Sequence, residues 1–359
     1  MKGAIVIKIG SNSLLDTQGN IDHAFLRRVV SVLKEIQSRG KFSLLVLSGA
    51  VLTGKSDTSA LASYAARAAR GQLIITALMH QLGESAGVKF SQFLISRQDI
   101  VDRGRYNTLQ KTFQESLNAG IIPLINENDA TAAAQTHDFI DNDQVATIVS
   151  MVVGAESLFL FTNVAGVFRA APDDEIKEEQ APIACITDVN KELMSMYIGK
   201  KSLVGRGGME SKLSAARLAS FVGITTYILD GRIIEHALEI VDGKQCRGTV
   251  CLPWPQPISL TDRSRRLIVS HTSSASIKVD VGAVAALHQR KSLLAVGVTR
   301  VYGTFDVQDS VEIIDYNNHP IALGVSSLSS VELSKIITAK DRPFNVEVIH
   351  ADNLILFPL

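Results

Sequence analysis

Lys8 lies inside the apolar run Ala4–Ile9 and is followed at once by Gly10, Ser11, Asn12 and Ser13. A buried ammonium needs an anionic partner. Glycine amides and hydroxyls just past a strand let a phosphate approach the backbone. An ordinary turn behind a strand-edge lysine would use the same residues. A second lysine, Lys212, ends the run Gly205-Arg206-Gly207-Gly208-Met209-Glu210-Ser211-Lys212, a glycine-rich loop entering a helical pattern. Glycine amides, a helix N-terminus and an ammonium would converge on phosphate there; a merely flexible loop is the plainer reading. The run does not fit G-x-x-x-x-G-K-[ST], so it is not a P-loop.

Amides and carboxylates crowd a third place. Asn126-Glu127-Asn128-Asp129 ends one apolar run, and Asp141-Asn142-Asp143 opens the next helical pattern. Asp141 or Asn142 can serve as a helix cap, with the rest a solvated loop. Two such clusters so close together make a purely structural account less complete. Ser48-Gly49-Ala50 follows another apolar run, a small turn against which a ligand can lie. No G-x-S-x-G elbow and no H-E-x-x-H occur, and the eight histidines form no metal-spaced pair, so neither a hydrolase triad nor catalytic zinc is supported.

The elements around these residues alternate. Strands are expected at Ala4–Ile9, Phe42–Leu47, Phe90–Ile95, Ile121–Ile125, Ser157–Phe161 and Thr225–Leu229. Helices are expected at His23–Ser38, about Leu61–Leu82, Tyr106–Ala119, Asp143–Val153, Met209–Phe221 and Ile233–Ile240. Several of these strands are apolar and β-branched, as buried parallel strands should be. The alternation predicts an α/β sandwich, with ligands at the carboxyl ends of the strands. The pattern changes near Pro253-Trp254-Pro255-Gln256-Pro257, where prolines at alternate positions cannot continue a helix or a central strand. We read 1–255 as one domain, 256–274 as a linker and 275–359 as a small α+β module. A short helix at Val281–His288 and strands at Gly297–Val301, Ser310–Ile314, Ile321–Val325 and Asn345–Ile349 fill that module.

The chain has 359 residues, more than one ordinary core accommodates. Lys plus Arg equals Asp plus Glu at 36 each, so no global field favours nucleic acid or a membrane surface. The first residues lack the features of a signal peptide, and no apolar run reaches transmembrane length. Cys246 and Cys251 are spaced C-x4-C with no histidine at ligand spacing, and Cys185 stands apart. Structural thiols in a reducing compartment, the cytoplasm, are expected.

Taken in order, these segments resemble the amino acid kinase family, and within it the branch that phosphorylates free glutamate. The likeness rests on Ile5-Val6-Ile7-Lys8-Ile9-Gly10-Ser11, Ser48-Gly49-Ala50, Ile125–Asp129 with Asp141-Asn142-Asp143, and Gly207-Gly208-Met209 with Ser211-Lys212. The C-terminal module resembles a PUA domain at Asp280, Gly282-Ala283, Ser292-Leu293-Leu294, Gly303 with Phe305, and His350-Ala351-Asp352-Asn353. Asn163 stands where the family usually has aspartate, and Arg206 where it has a small hydroxyl residue.

The resemblance implies a three-layer sandwich with a mainly parallel central sheet, and ATP-dependent phosphorylation of the L-glutamate side-chain carboxylate. It assigns Lys8 and Lys212 to the transferring phosphoryl group, with Asp143 between them. Ser48, Gly49, Asn126, Asp129, Asp141 and Asn142 would hold the amino acid. Lys8, Gly10, Ser11, Thr162, Asn163 and Arg206–Lys212 (Arg206, Gly207, Gly208, Met209, Glu210, Ser211, Lys212) would hold ATP. It further implies Mg2+ on the ATP phosphates and no protein metal site, assembly into dimers or tetramers, and the inhibition by proline that many relatives show. Rival readings are another acid kinase of this fold, acting on N-acetylglutamate, aspartate, carbamate or UMP, or an RNA-binding protein on a decayed kinase scaffold.

Overall fold

A computed structural model describes residues 3–16, 18–57, 61–131, 141–169, 181–187, 189, 208–255, 275–339 and 344–357. The expected linker, 256–274, and Arg206-Gly207 lie outside them. The chain divides into two compact units, Met1–Pro255 and Gln256–Leu359.

The first unit is built on an eight-stranded sheet. Its strands are β1 (Ala4–Ile9), β2 (Phe42–Leu47), β3 (Phe90–Ile95), β4 (Ile122–Glu127), β5 (Ser157–Thr162), β6 (Cys185–Ile186), β7 (Thr225–Asp230) and β8 (Thr249–Cys251), in the order β3-β4-β2-β1-β5-β7-β8-β6. All neighbours are parallel except β7 and β8. The mainly parallel sheet is as expected. Every residue of β1, β4 and β5 is buried, which explains their nearly unbroken apolar composition.

Alternation along β1 separates the layers. Ile5, Ile7 and Ile9 join one core with α1 (His23–Ser38) and α3 (Tyr64–Ala86). Lys8 turns to the opposite face, where α6 (Asn142–Val153) supplies its partner, Asp143. Asp22 caps α1 by accepting from the Phe25 amide at 2.9 Å, and Phe25, Leu26, Val29, Val30, Leu33 and Ile36 form the buried stripe.

The stretch expected as one helix from about Leu61 is preceded by a separate helix, α2 (Ala50–Asp57). Its sequence, AVLTGKSD, has no apolar period to announce it. α2 and α3 meet backbone to backbone. A Cβ on Gly71 would fall 1.7 Å from the Ala50 carbonyl oxygen, and one on Gly54 would fall 1.9 Å from that of Arg67. Only glycine permits this crossing. Among the described residues, the remaining α-helices of this unit are α4 (Arg97–Val101), α5 (Arg103–Asn118), α7 (Met209–Phe221) and α8 (His236–Val241).

The second unit has a five-stranded sheet of β9 (Ser276–Val279), β11 (Val298–Tyr302), β12 (Ser310–Ile314), β13 (Pro320–Val325) and β15 (Leu354–Leu356). A two-stranded pair joins β10 (Leu293–Leu294) to β14 (Glu347–Ile349). Asp280 caps α9 (Val281–His288) by accepting from the Ala283 amide. Helix α10 (Ser330–Thr338) is an unexpected addition, although Ser329 and Glu332 form a capping box at its start.

Candidate active site

The ends of β1, β2, β4 and β5 and the starts of α2, α3, α6 and α7 bring side chains to one cavity of about 340 Å³. Lys8, Gly10 and Ser11 come from the end of β1; Ser48 and Gly49 come from the end of β2. Glu127 ends β4 and Asp129 follows it, Thr162 ends β5 and Asn163 follows it, Asp141 and Asn142 open α6, and Lys212 lies in the first turn of α7. Gly49 has φ of 103°, and a Cβ there would meet Leu14 Cδ1 at 2.7 Å. The turn therefore needs glycine, and its backbone is left open to the cavity.

Lys8 and Lys212 share one carboxylate. Lys8 Nζ lies 2.7 Å from Asp143 Oδ1, and Lys212 Nζ donates to Asp143 Oδ2 at 3.1 Å. Asp143 is fully buried, and both lysines are only 4% exposed. Burial pushes the Asp143 carboxyl up, but the Lys212 and Lys8 ammonium groups outweigh it and hold it at about 2. Burial works against the Lys8 ammonium, yet Asp143 and then Asp141 raise its pKa above the ordinary lysine value. Lys8 and Asp143 are thus both charged at neutral pH.

The helix ends explain how they are held. Asp141 caps α6 by accepting from the Asp143 amide at 2.9 Å. The Asp143 carboxylate sits in the first turn of α6, where the helix dipole favours an anion. Lys212 occupies the equivalent turn of α7, whose N-cap is Gly208. The Ser211 hydroxyl donates to Asp141 Oδ2, joining the two helix starts. Met209 and Glu210 open α7 without reaching the cavity wall. A phosphate oxygen drawn into this corner would meet two ammonium groups and glycine amides in a largely dehydrated setting.

Asn126, expected to hold the amino acid, is fixed by two neighbours. It is buried at the end of β4, with its Nδ2 donating to Gln72 Oε1 at 2.7 Å and its Oδ1 accepting from the Glu127 amide at 3.0 Å. It shapes the end of β4 and does not line the cavity. Asp129 does line it, and accepts from the Tyr64 hydroxyl at 2.9 Å. Tyr64 and Gln72, both on α3, are not among the expected site residues. Ser63 before Tyr64 is a visible helix cap, accepting from the Ala66 amide, but nothing in the sequence points Tyr64 toward a carboxylate 65 residues away.

The model of the amino acid kinase family matches residues 3–230, and that of the PUA domain residues 275–343. The glutamate 5-kinase of Nostoc punctiforme is 35% identical over 375 residues, covering 99% of this chain and 100% of its own length. Those of Desulfitobacterium hafniense and Bacillus cereus are each 32% identical over 366 residues, covering 98% of this chain and 98% of their own. Family models and relatives thus agree over both units, and the chain belongs to the amino acid kinase family, in its glutamate 5-kinase branch.

Proposed function

We propose that this chain transfers the γ-phosphoryl group of ATP to the side-chain carboxylate of L-glutamate, forming L-glutamyl 5-phosphate, the first step of proline biosynthesis. The observation that carries the mechanism is the buried Lys8–Asp143–Lys212 bridge at the cavity. The nucleophile is a carboxylate of pKa about 4.3 and is ionised at neutral pH, so no general base is required. The barrier is electrostatic, an anion attacking a polyphosphate, and catalysis is positioning plus charge stabilisation. Lys8 and Lys212 meet that need, and Asp143 keeps them together without neutralising both.

In this reading Gly10, Ser11 and Gly49 offer donors to phosphate oxygens. Ser48, Asp129, Asp141 and Asn142 bind the amino acid, with Asp129 facing its α-ammonium group. Asn126, held by Gln72 and the Glu127 amide, binds the amino acid with them. Thr162, Asn163 and the segment 206–212 hold the nucleotide. Among the described residues, no three His, Cys, Asp or Glu side chains group as metal ligands. We assign Mg2+ to the ATP phosphates, where phosphate and water oxygens suit it.

We place the reaction in the cytoplasm, in keeping with the free thiols of Cys185, Cys246 and Cys251. Among the described residues no helix is long and apolar enough to cross a membrane. Assembly as a dimer or tetramer and inhibition by proline are further parts of the proposal; RNA binding by the C-terminal unit is not.

The test is ATP turnover with magnesium and one acid at a time, trapping acyl phosphate with hydroxylamine. Hydroxamate from L-glutamate and not from N-acetyl-L-glutamate or L-aspartate is expected. A preference for either of the others would overturn the choice of substrate.

A further inference from the structure

Asp129 is 7% exposed, lines the cavity, and takes a hydrogen bond from Tyr64 at 2.9 Å. Tyr64 is the first residue of α3 and is itself part of the cavity wall. Its position is set twice. Ser63 caps the helix beneath it, and the Gly54–Gly71 crossing fixes α3 against α2, which begins just after Ser48 and Gly49.

We propose that Tyr64 determines the specificity of the amino-acid site for a free α-ammonium group. The proposal rests on the assignment of L-glutamate as substrate. A phenol is a neutral donor at physiological pH. It orients the Asp129 carboxylate without cancelling its charge, which a lysine or arginine in its place would do. The half-buried ring then gives the same corner an aromatic wall, favourable to a cation and unfavourable to a bulkier, uncharged acylamine. Asp129 supplies the charge and Tyr64 fixes where that charge points. A substrate without the ammonium group gains nothing from either.

The experiment compares wild type with Tyr64→Phe in the full chain. Hydroxamate formation is measured with L-glutamate and with glutarate, which has both carboxylates but no amino group. Phe keeps the ring and the helix start and removes only the hydroxyl, and a thermal melt confirms that the variant is folded. Losing one hydrogen bond to a charged group should raise KM for L-glutamate by about 10-fold. kcat and KM for ATP should stay within about twofold, and the preference for L-glutamate over glutarate should narrow by the same ~10-fold. An unchanged KM would overturn the proposal. So would an equal loss with both acids, which marks a structural effect. A wild-type chain inactive with L-glutamate would instead overturn the assignment of the reaction, whatever Tyr64 does.

Discussion

Ser211 and Asp141 are hydrogen-bonded across the start of two helices, the serine on α7 and the aspartate capping α6. Asp141 thereby uses one carboxylate oxygen to fix the Asp143 amide and the other to hold the residue next to Lys212. In the proposed reaction the bond ties the nucleotide side of the site to the amino-acid side. Ser211→Ala should leave the fold intact and let Lys212 wander from its carboxylate. Turnover is expected to fall by ~10-fold, the scale of one hydrogen bond to a charged group, measured as kcat for hydroxamate formation. An unaltered kcat would leave the bond a structural cap only.

Lys8→Ala and Lys212→Ala should each lower turnover by ~100-fold or more, comparable to deleting a donor aimed at developing charge. Neither change strands Asp143, because the other lysine remains within 3.1 Å of it. Both variants should therefore fold, and circular dichroism together with the kinetics separates lost chemistry from lost structure. Near-normal turnover in either variant would sink the assignment of the phosphoryl site.

Asp143 behaves oppositely, because it is the anion that both lysines need. Asp143→Asn leaves two buried ammonium groups with no anion between them, a loss of about 3–5 kcal/mol. Its carboxyl is held at about 2, below the ordinary 3.8. The charge therefore contributes stability that is complete above the ordinary value and is lost as pH falls through the depressed one. Denaturant titrations should show wild type losing this share between about pH 4 and pH 2. The Asn variant should already lack it at neutral pH. Parallel acid curves for the two proteins would contradict the shared-carboxylate arrangement.

Much of this site was legible because chemistry and strand ends coincide in the sequence. Lys8 inside an apolar strand demanded an anion, and Asp143 is that anion. Asp141 read equally as a cap or as a ligand, and it is a cap whose second oxygen reaches Ser211. Helix α7 was legible to the residue, since Gly208 precedes it and its sequence carries no glycine or proline. What stayed hidden depends on contacts between distant segments. Asn126 sits at a strand end like a ligand, and only the fold shows that one of its amide hydrogens goes to Gln72. α2 has no amphipathic period because its packing runs through backbone at Gly54 rather than through a stripe of side chains.

For Asp129→Ala, KM for L-glutamate should rise by ~100-fold while KM for ATP stays near wild type, since a desolvated charge pair with the α-ammonium is lost. Glutarate, which cannot make that pair, should be processed no worse than by wild type. Initial rates against each substrate separate these outcomes. An equal loss for ATP and L-glutamate would remove Asp129 from the amino-acid site.

The glycine crossing gives a prediction at a distance from the phosphoryl group. A methyl on Gly71 would overlap the Ala50 carbonyl oxygen at 1.7 Å and the Gly54 nitrogen at 2.6 Å, both backbone atoms that cannot swing aside. α2 and α3 must separate to admit it, at a cost of about 1–3 kcal/mol. α3 carries Tyr64 and Gln72, the partners of Asp129 and Asn126, so the same displacement should loosen the amino-acid site. Gly71→Ala is expected to lower the melting temperature and raise KM for L-glutamate more than KM for ATP. Lys8 and Lys212 are carried by β1 and α7 and not by the two displaced helices, so kcat at saturating L-glutamate should fall least. A variant as stable as wild type would show that the two helices do not meet through their backbones.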